Sequence, residues 1–270
     1  MVQRTTDFFA KSGVQNPRLD AEWIVAYSLN VSRMDLYLQF ERPLEENDLA
    51  PLRDLVCRRN NREPLQHILG FVDFVGLRIA CDGRALIPRP ETEELIEILT
   101  SDIDPCSVAR ILDLGTGSGV LALALAKNFT AADVLAVDAS EKALQLAQEN
   151  AVANGLAERV RFLRSNWFEN LSRNEGRFDL IVSNPPYLSQ EEWESTEPEV
   201  REYDPKLALV SGEGGSAHLI AIMKGTPKHL RKGGLLAMET GESHHDLLTE
   251  QAAKNGYFDS RRLCDLSKRP

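Results

Sequence analysis

The apolar stretch Val108–Leu114 runs straight into Gly115-Thr116-Gly117-Ser118-Gly119, and from there into the apolar run Val120–Lys127. Strand, glycine turn and helix in immediate succession form half of a βαβ unit, and glycines at alternate positions allow a tight turn where a ligand can approach bare backbone. Further strand-like runs follow at Val134–Asp138, Val160–Ser165, Phe178–Ser183, Leu235–Thr240 and Phe258–Leu266, mostly separated by helical patterns at Glu141–Asn154, Ala217–Leu230 and His244–Asn255. That alternation predicts an α/β fold with a doubly wound sheet. Its ligand is expected at the carboxyl ends of the strands, so the residues just after each strand carry most of the functional information.

Residues 1–70 have a different pattern. Leu19, Trp23, Ile24, Tyr27 and Leu29 follow the Asn16-Pro17 start signal at helical spacing, and Leu44, Leu49, Leu52, Leu55 and Val56 share a second face before Asn60-Asn61. A small helical domain without a catalytic cluster is expected there, serving recognition or scaffolding. Residues 71–88 predict a β-hairpin linker, with Gly76 and Asp82-Gly83 interrupting Phe71, Phe74, Val75, Leu77, Ile79 and Leu86-Ile87. Residues 89–270 are then the sheet domain, whose first helix begins near Glu91 after Pro88-Arg89-Pro90.

Charge and cysteine usage narrow the partners. Acidic residues outnumber basic ones 41 to 31, a net charge of −10, which argues against a broad nucleic-acid surface. Cys57, Cys81, Cys106 and Cys264 are scattered, and His67, His218, His229, His244 and His245 lack metal-ligand spacing, so neither a disulfide framework nor a metal is expected. Met1–Lys11 has no signal-peptide core, and the longest apolar run, Val120–Ala126, is too short for a bilayer; a reducing cytoplasm is the expected location.

The loop reads G-x-G-x-G, with Val120 where a dinucleotide fingerprint needs its last glycine, and neither the phosphate-loop nor the nucleophile-elbow pattern fits. A nucleoside-type cofactor without a pyrophosphate remains. Asp138, ending the second strand, is placed to accept hydrogen bonds from ribose hydroxyls, although a strand-end Asp also serves as a helix cap, a task Ser140 can share. After the third strand, Asn166-Trp167-Phe168 offers an amide and an aromatic plane for an adenine; on spacing alone both aromatics fit the core equally well.

The fourth strand ends in Asn184-Pro185-Pro186-Tyr187. Consecutive prolines stiffen the loop and aim its carbonyls, so the Asn184 side-chain oxygen and the Pro185 carbonyl can each accept one hydrogen of a planar NH₂ group while the Tyr187 ring covers its face. The implied chemistry is methyl transfer from S-adenosylmethionine to a weakly nucleophilic planar nitrogen, driven by orientation rather than by a general base.

Taken together, Gly115–Gly119, Asp138 and Asn184–Tyr187 resemble the motifs of Rossmann-like, class I S-adenosylmethionine-dependent methyltransferases acting on amide or exocyclic amino groups. With Pro64–Gly70, Leu86–Glu93 and the helical N-terminal module, nearly the whole chain resembles the peptide chain release factor glutamine methyltransferases. The resemblance implies that the substrate is the glutamine of the Gly-Gly-Gln loop of class I release factors. It also implies cofactor contacts from Gly115, Thr116, Gly117, Ser118, Gly119, Asp138, Trp167 and Asn184, and a substrate-binding tetrapeptide at Asn184, Pro185, Pro186 and Tyr187. Asn166 departs from it, since many relatives carry Asp there. The rival readings are a nucleic-acid adenine methyltransferase, a glutamine methyltransferase for a ribosomal protein, and a non-catalytic binding protein. Gly212, Gly214 and Gly215 read as a flexible turn. The acidic run Glu191, Glu192, Glu194, Glu197, Glu199 and Glu202 reads as a solvated face, or as a surface that greets a basic release-factor loop.

Overall fold

The computed structural model describes residues 1–39, 43–172 and 175–264. Its chain divides into two units, one made of Met1–Phe71 with Glu197–Tyr203, the other of Val72–Thr196 with Asp204 onward.

The first unit contains α1 (Val2–Lys11), α2 (Pro17–Ser28), α3 (Arg33–Leu38), α4 (Glu46–Asn60) and α5 (Leu65–Leu69). Pro17 at its first position starts α2, and a Ser32–Asp35 capping box starts α3. Phe9, Ile24, Leu52 and Ile68 belong to its core. Helix α2 departs from its apolar pattern: Leu19 and Tyr27 are 41% and 46% exposed, whereas Asp20 and Glu22 are buried. The reason is pairing. Glu22 accepts from Arg18, Arg33 and Tyr37, and these bonds, Tyr37 foremost, pull its carboxyl down to about 2. Asp20 receives the buried Arg59 guanidinium at 2.7 Å.

The acidic run after the tetrapeptide is also more than a solvated face. Helix α10 (Pro198–Tyr203) belongs to this first unit, where Glu199 accepts from Arg59 at 2.9 Å and from Arg62 at 2.6 Å and 2.7 Å, while Glu197 accepts from Arg62 at 2.7 Å. Those two carboxylates are therefore already engaged within the fold.

β1 (Phe71–Phe74), which belongs to the second unit from Val72 on, and β2 (Leu77–Ala80) form a two-stranded ribbon. The main sheet is built from β3 (Arg110–Leu114), β4 (Asp133–Asp138), β5 (Val160–Arg164), β6 (Phe178–Ser183) and β7 (Leu230–Met238), parallel throughout and ordered β5-β4-β3-β6-β7. The order reverses beside β3, which creates the crevice where such sheets hold ligands. Surrounding it are α6 (Pro90–Asp102), α7 (Val120–Asn128), α8 (Glu141–Ala153), α9 (Gln190–Glu194), α11 (Ala217–Gly225) and α12 (His245–Lys254). Ile111, Leu112 and Leu114 of β3 and Leu180–Val182 of β6 are fully buried, consistent with largely apolar strands in a sheet covered on both faces. No helix of the described residues is long and apolar enough to cross a membrane.

Three expected elements differ. The helix expected over Ala217–Leu230 stops at Gly225, because Pro227 lacks the amide that would continue it, and a single 3-10 turn follows. Strand β7 starts at Leu230 rather than Leu235, absorbing Gly233-Gly234 through a register shift against β6. The sixth strand expected at Phe258–Leu266 is not formed over residues 258–264, and residues 265–266 lie outside the described residues.

Candidate active site

The expected site residues all follow the carboxyl ends of adjacent strands. Gly115–Gly119 follow β3, Asp138 ends β4, Trp167 follows β5, and Asn184–Tyr187 follow β6.

The glycine loop is held mainly by bonds from its amides to the end of β4. The N–H groups of Gly115 and Thr116 both donate to the Val137 carbonyl at 2.9 Å, that of Gly119 to Thr116, and that of Gly117 to Asp138 Oδ2 at 2.9 Å. A phosphate cradle needs such groups free; here they are spent, in keeping with a ligand that has no pyrophosphate. Thr116 and Ser118 are buried, and the Ser118 carbonyl accepts from the Asn150 side chain at 2.9 Å. Gly119, at φ +86°, caps α7, and an added Cβ would lie 3.0 Å from Ala147 Cβ on α8. Gly119→Ala is therefore expected to lower stability by about 1–3 kcal/mol in urea titration, combining left-handed strain with overpacking.

Under this loop sits Asp113, which sequence reading did not single out. Its Oδ2 accepts from Thr116 Oγ1 at 2.6 Å and from the Ala122 amide at 3.2 Å, while the buried Oδ1 has no partner. Burial pushes this carboxyl up to about 7. The folded chain thus keeps a proton that the unfolded chain releases near pH 4, so this group's contribution to stability falls as pH rises toward 7 and levels off above it. Asp113→Asn preserves an acceptor in place of Oδ2. Its melting temperature relative to wild type is expected to rise from pH 4 to pH 7, and a pH-independent difference in calorimetry would contradict this. The available signal was an acidic residue within an otherwise apolar strand.

Asp138 does not cap α8. Ser140 does, its Oγ accepting from the Ala143 amide at 3.2 Å. Instead Asp138 bridges two segments, Oδ2 to Gly117 and Oδ1 to the Ser140 amide at 2.8 Å. Burial raises its carboxyl, and the backbone bonds from Ser140 and Gly117 oppose that rise. Each oxygen retains a lone pair for a further donor.

Both aromatics after β5 are partly buried against the same core cluster, with different ring neighbours. Trp167, at φ +50°, lies over Gly115, whose added Cβ would be 3.2 Å from the indole ring, and the His218 ring is 5.3 Å away. Phe168 stacks on His229 at 4.8 Å and packs in the core. Asn166 is exposed and donates its amide to Glu169 at 2.8 Å.

The tetrapeptide has partners that sequence reading missed. Asn184 Nδ2 donates to Glu239 Oε2 at 2.8 Å and to Thr92 Oγ1 at 3.1 Å, and Thr92 donates to the same Glu239 oxygen at 2.8 Å. Tyr187 Oη donates to Glu239 Oε1 at 3.0 Å. Burial raises both the Glu239 carboxyl and the Tyr187 phenol. With acceptors facing its Nδ2, the Asn184 amide has one orientation, and its Oδ1 points the other way. Among the described residues nothing donates to Oδ1 or to the Pro185 carbonyl. Pro185 is buried and Pro186 partly so. Glu239 follows β7, where the strand-end rule could have found it; Thr92, in the first turn of α6, gave no such signal.

The glycine turn is also structural here. Gly215 has φ +90°, and an added Cβ would collide with the Tyr187 carbonyl oxygen. The Leu188 and Ser211 amides bond the Leu209 and Leu188 carbonyls, clamping the chain just beyond Tyr187.

Family models match both parts of the chain: a PrmC N-terminal domain over residues 1–70 and a methyltransferase small domain over residues 91–199. A release factor glutamine methyltransferase of Geobacter sulfurreducens is 40% identical over 255 residues, covering 94% of this chain and 88% of that protein. One from Chlorobaculum tepidum is 40% identical over 246 residues, covering 88% and 83%. Among solved structures, the hMettl16 catalytic domain in complex with a MAT2A 3'UTR hairpin superposes with a TM-score of 0.52 at 20% identity, over 75% of this chain and 73% of that one, a likeness of fold.

Proposed function

Because the chain belongs to the release factor glutamine methyltransferase family, we propose that it transfers a methyl group from S-adenosylmethionine to the side-chain amide nitrogen of the Gly-Gly-Gln glutamine of class I release factors. The substrate works in translation, so this reading carries a cytoplasmic location with it.

The residues present fit the cofactor. Gly117 has only the Ala85 Cβ near the position of a side chain, at 3.8 Å, which leaves room for close approach to the backbone. Asp138 holds spare lone pairs for ribose hydroxyls, and the Trp167 ring supplies a plane beside the loop. When bound, S-adenosylmethionine supplies an electrophilic methyl group on a sulfonium.

Two acceptors, Asn184 Oδ1 and the Pro185 carbonyl, hold the two N–H groups of the incoming carboxamide. An amide lone pair is delocalised into its carbonyl, so the nitrogen must rehybridise to react. Acceptors that strengthen as positive charge grows on that nitrogen favour the transition state over the ground state. The proline pair keeps the acceptors in register, which replaces an improbable encounter with an oriented one. Tyr187 covers the planar group, and one N–H proton leaves to water after transfer.

The observation that carries this reading is the orientation of Asn184: its NH₂ is consumed by Glu239 and Thr92, which leaves Oδ1 to accept. The test is incubation with methyl-labelled cofactor and an intact release factor, with the label located by mass spectrometry. Label on the Gly-Gly-Gln glutamine is expected. Label only on a ribosomal protein or on adenine in nucleic acid would favour those rival substrates and overturn the reading.

A further inference from the structure

We propose that Glu239 is a positioning residue for methyl transfer: its ionised carboxylate ties the two ends of the tetrapeptide together and fixes which face of the Asn184 amide meets the substrate. The proposal rests on the reading above and deepens it. Three donors converge on one side chain, Asn184 Nδ2 and Thr92 Oγ1 on Oε2 and Tyr187 Oη on Oε1. Glu239 is itself anchored, since its amide donates to the Ser183 carbonyl at 3.1 Å, one residue before Asn184. A carboxylate suits this place because it only accepts. If the acceptors on Nδ2 are lost, the amide is free to turn, and a turned Asn184 presents NH₂ to a substrate that also donates NH₂. The acceptor pair then becomes one acceptor and one clash.

Ionisation follows from the same geometry. Protonated Glu239 would carry a donor of its own against three donors, so one bond must break or reverse, and either change loosens the anchor. The groups facing it are Glu91 and Thr92 on α6 and Asn184 and Tyr187 after β6, with Arg89 acting on Tyr187. Burial is the largest influence and raises the carboxyl, the Thr92, Tyr187 and Asn184 bonds lower it, and Glu91 raises it further. Turnover is therefore lost as pH falls through a midpoint above the ordinary glutamate range.

Three variants test this with release factor as substrate. Glu239→Ala is expected to lower kcat about 100-fold, the scale of a misaligned reacting group, with the cofactor Kd within about twofold because no cofactor contact is removed. Combined with Asn184→Ala, it should add little further loss, since it acts through that amide. Glu239→Gln mimics the protonated acid, so its kcat should be intermediate and lack the acid limb of the wild-type profile. Multiplicative losses in the double variant, unimpaired kcat in Glu239→Ala, or an unchanged acid limb in Glu239→Gln would each overturn the proposal; the last also decides the case if Glu239→Ala does not fold. No transfer by wild type to the release factor overturns the parent reading and this proposal together.

Discussion

Asn184→Ala is expected to lower kcat by about 100- to 1,000-fold, the range seen when one preorganised polar group is removed from a developing charge, while cofactor binding is largely retained. Oδ1 has no donor among the described residues, so its loss subtracts one of the two proposed substrate acceptors and leaves the Pro185 carbonyl alone. The same substitution releases Glu239 Oε2 to Thr92 only, and the vacated volume is small, so the fold should persist. Because the acceptors act most strongly as the nitrogen changes geometry, kcat should fall more than KM rises. Comparable turnover in mutant and wild type would reject the role. A loss confined to KM would make Asn184 a docking contact only.

Asp138→Ala has the opposite signature. The cofactor Kd is expected to weaken by about 100- to 1,000-fold, because hydrogen bonds to a charged acceptor contribute about 1.5–3 kcal/mol each and the proposed contact engages two ribose hydroxyls. Part of the loss comes from the loop itself, since Gly117 and Ser140 each lose the carboxylate that their amides reach. Isothermal titration with S-adenosylhomocysteine measures it without turnover, and an unchanged Kd would contradict the ribose assignment. Turnover at saturating cofactor should recover most of its wild-type value in this variant, in contrast to Asn184→Ala.

The two halves of the site differ in how they were written into the sequence. Gly115–Gly119 and Asn184–Tyr187 are contiguous, and each follows an apolar strand whose period and length identify it, so local chemistry was enough to read them. Glu239 and Thr92 reach Asn184 from elements distant in the chain, and only folding brings them together. Glu239 stood at a strand end and was legible in principle. Thr92 looked like an ordinary first-turn residue.

Helix α2 shows the other limit. Its apolar pattern suggested a stripe through Leu19 and Tyr27, yet the buried face carries Asp20 and Glu22, because arginines from α3 and α4 neutralise them. Burial of a paired charge depends on a partner that periodicity does not reveal. Similarly, Arg231-Lys232-Gly233-Gly234 does not read as strand, but β7 forms an edge of the main sheet, where a bulge is tolerated.

The most direct test is a crystal structure of the enzyme with S-adenosylhomocysteine and a peptide carrying Gly-Gly-Gln. The glutamine nitrogen is predicted to lie at hydrogen-bond distance, about 2.9 Å, from both Asn184 Oδ1 and the Pro185 carbonyl, with Asn184 Nδ2 still on Glu239. A glutamine bound elsewhere, or an Asn184 amide turned to present its NH₂, would contradict it.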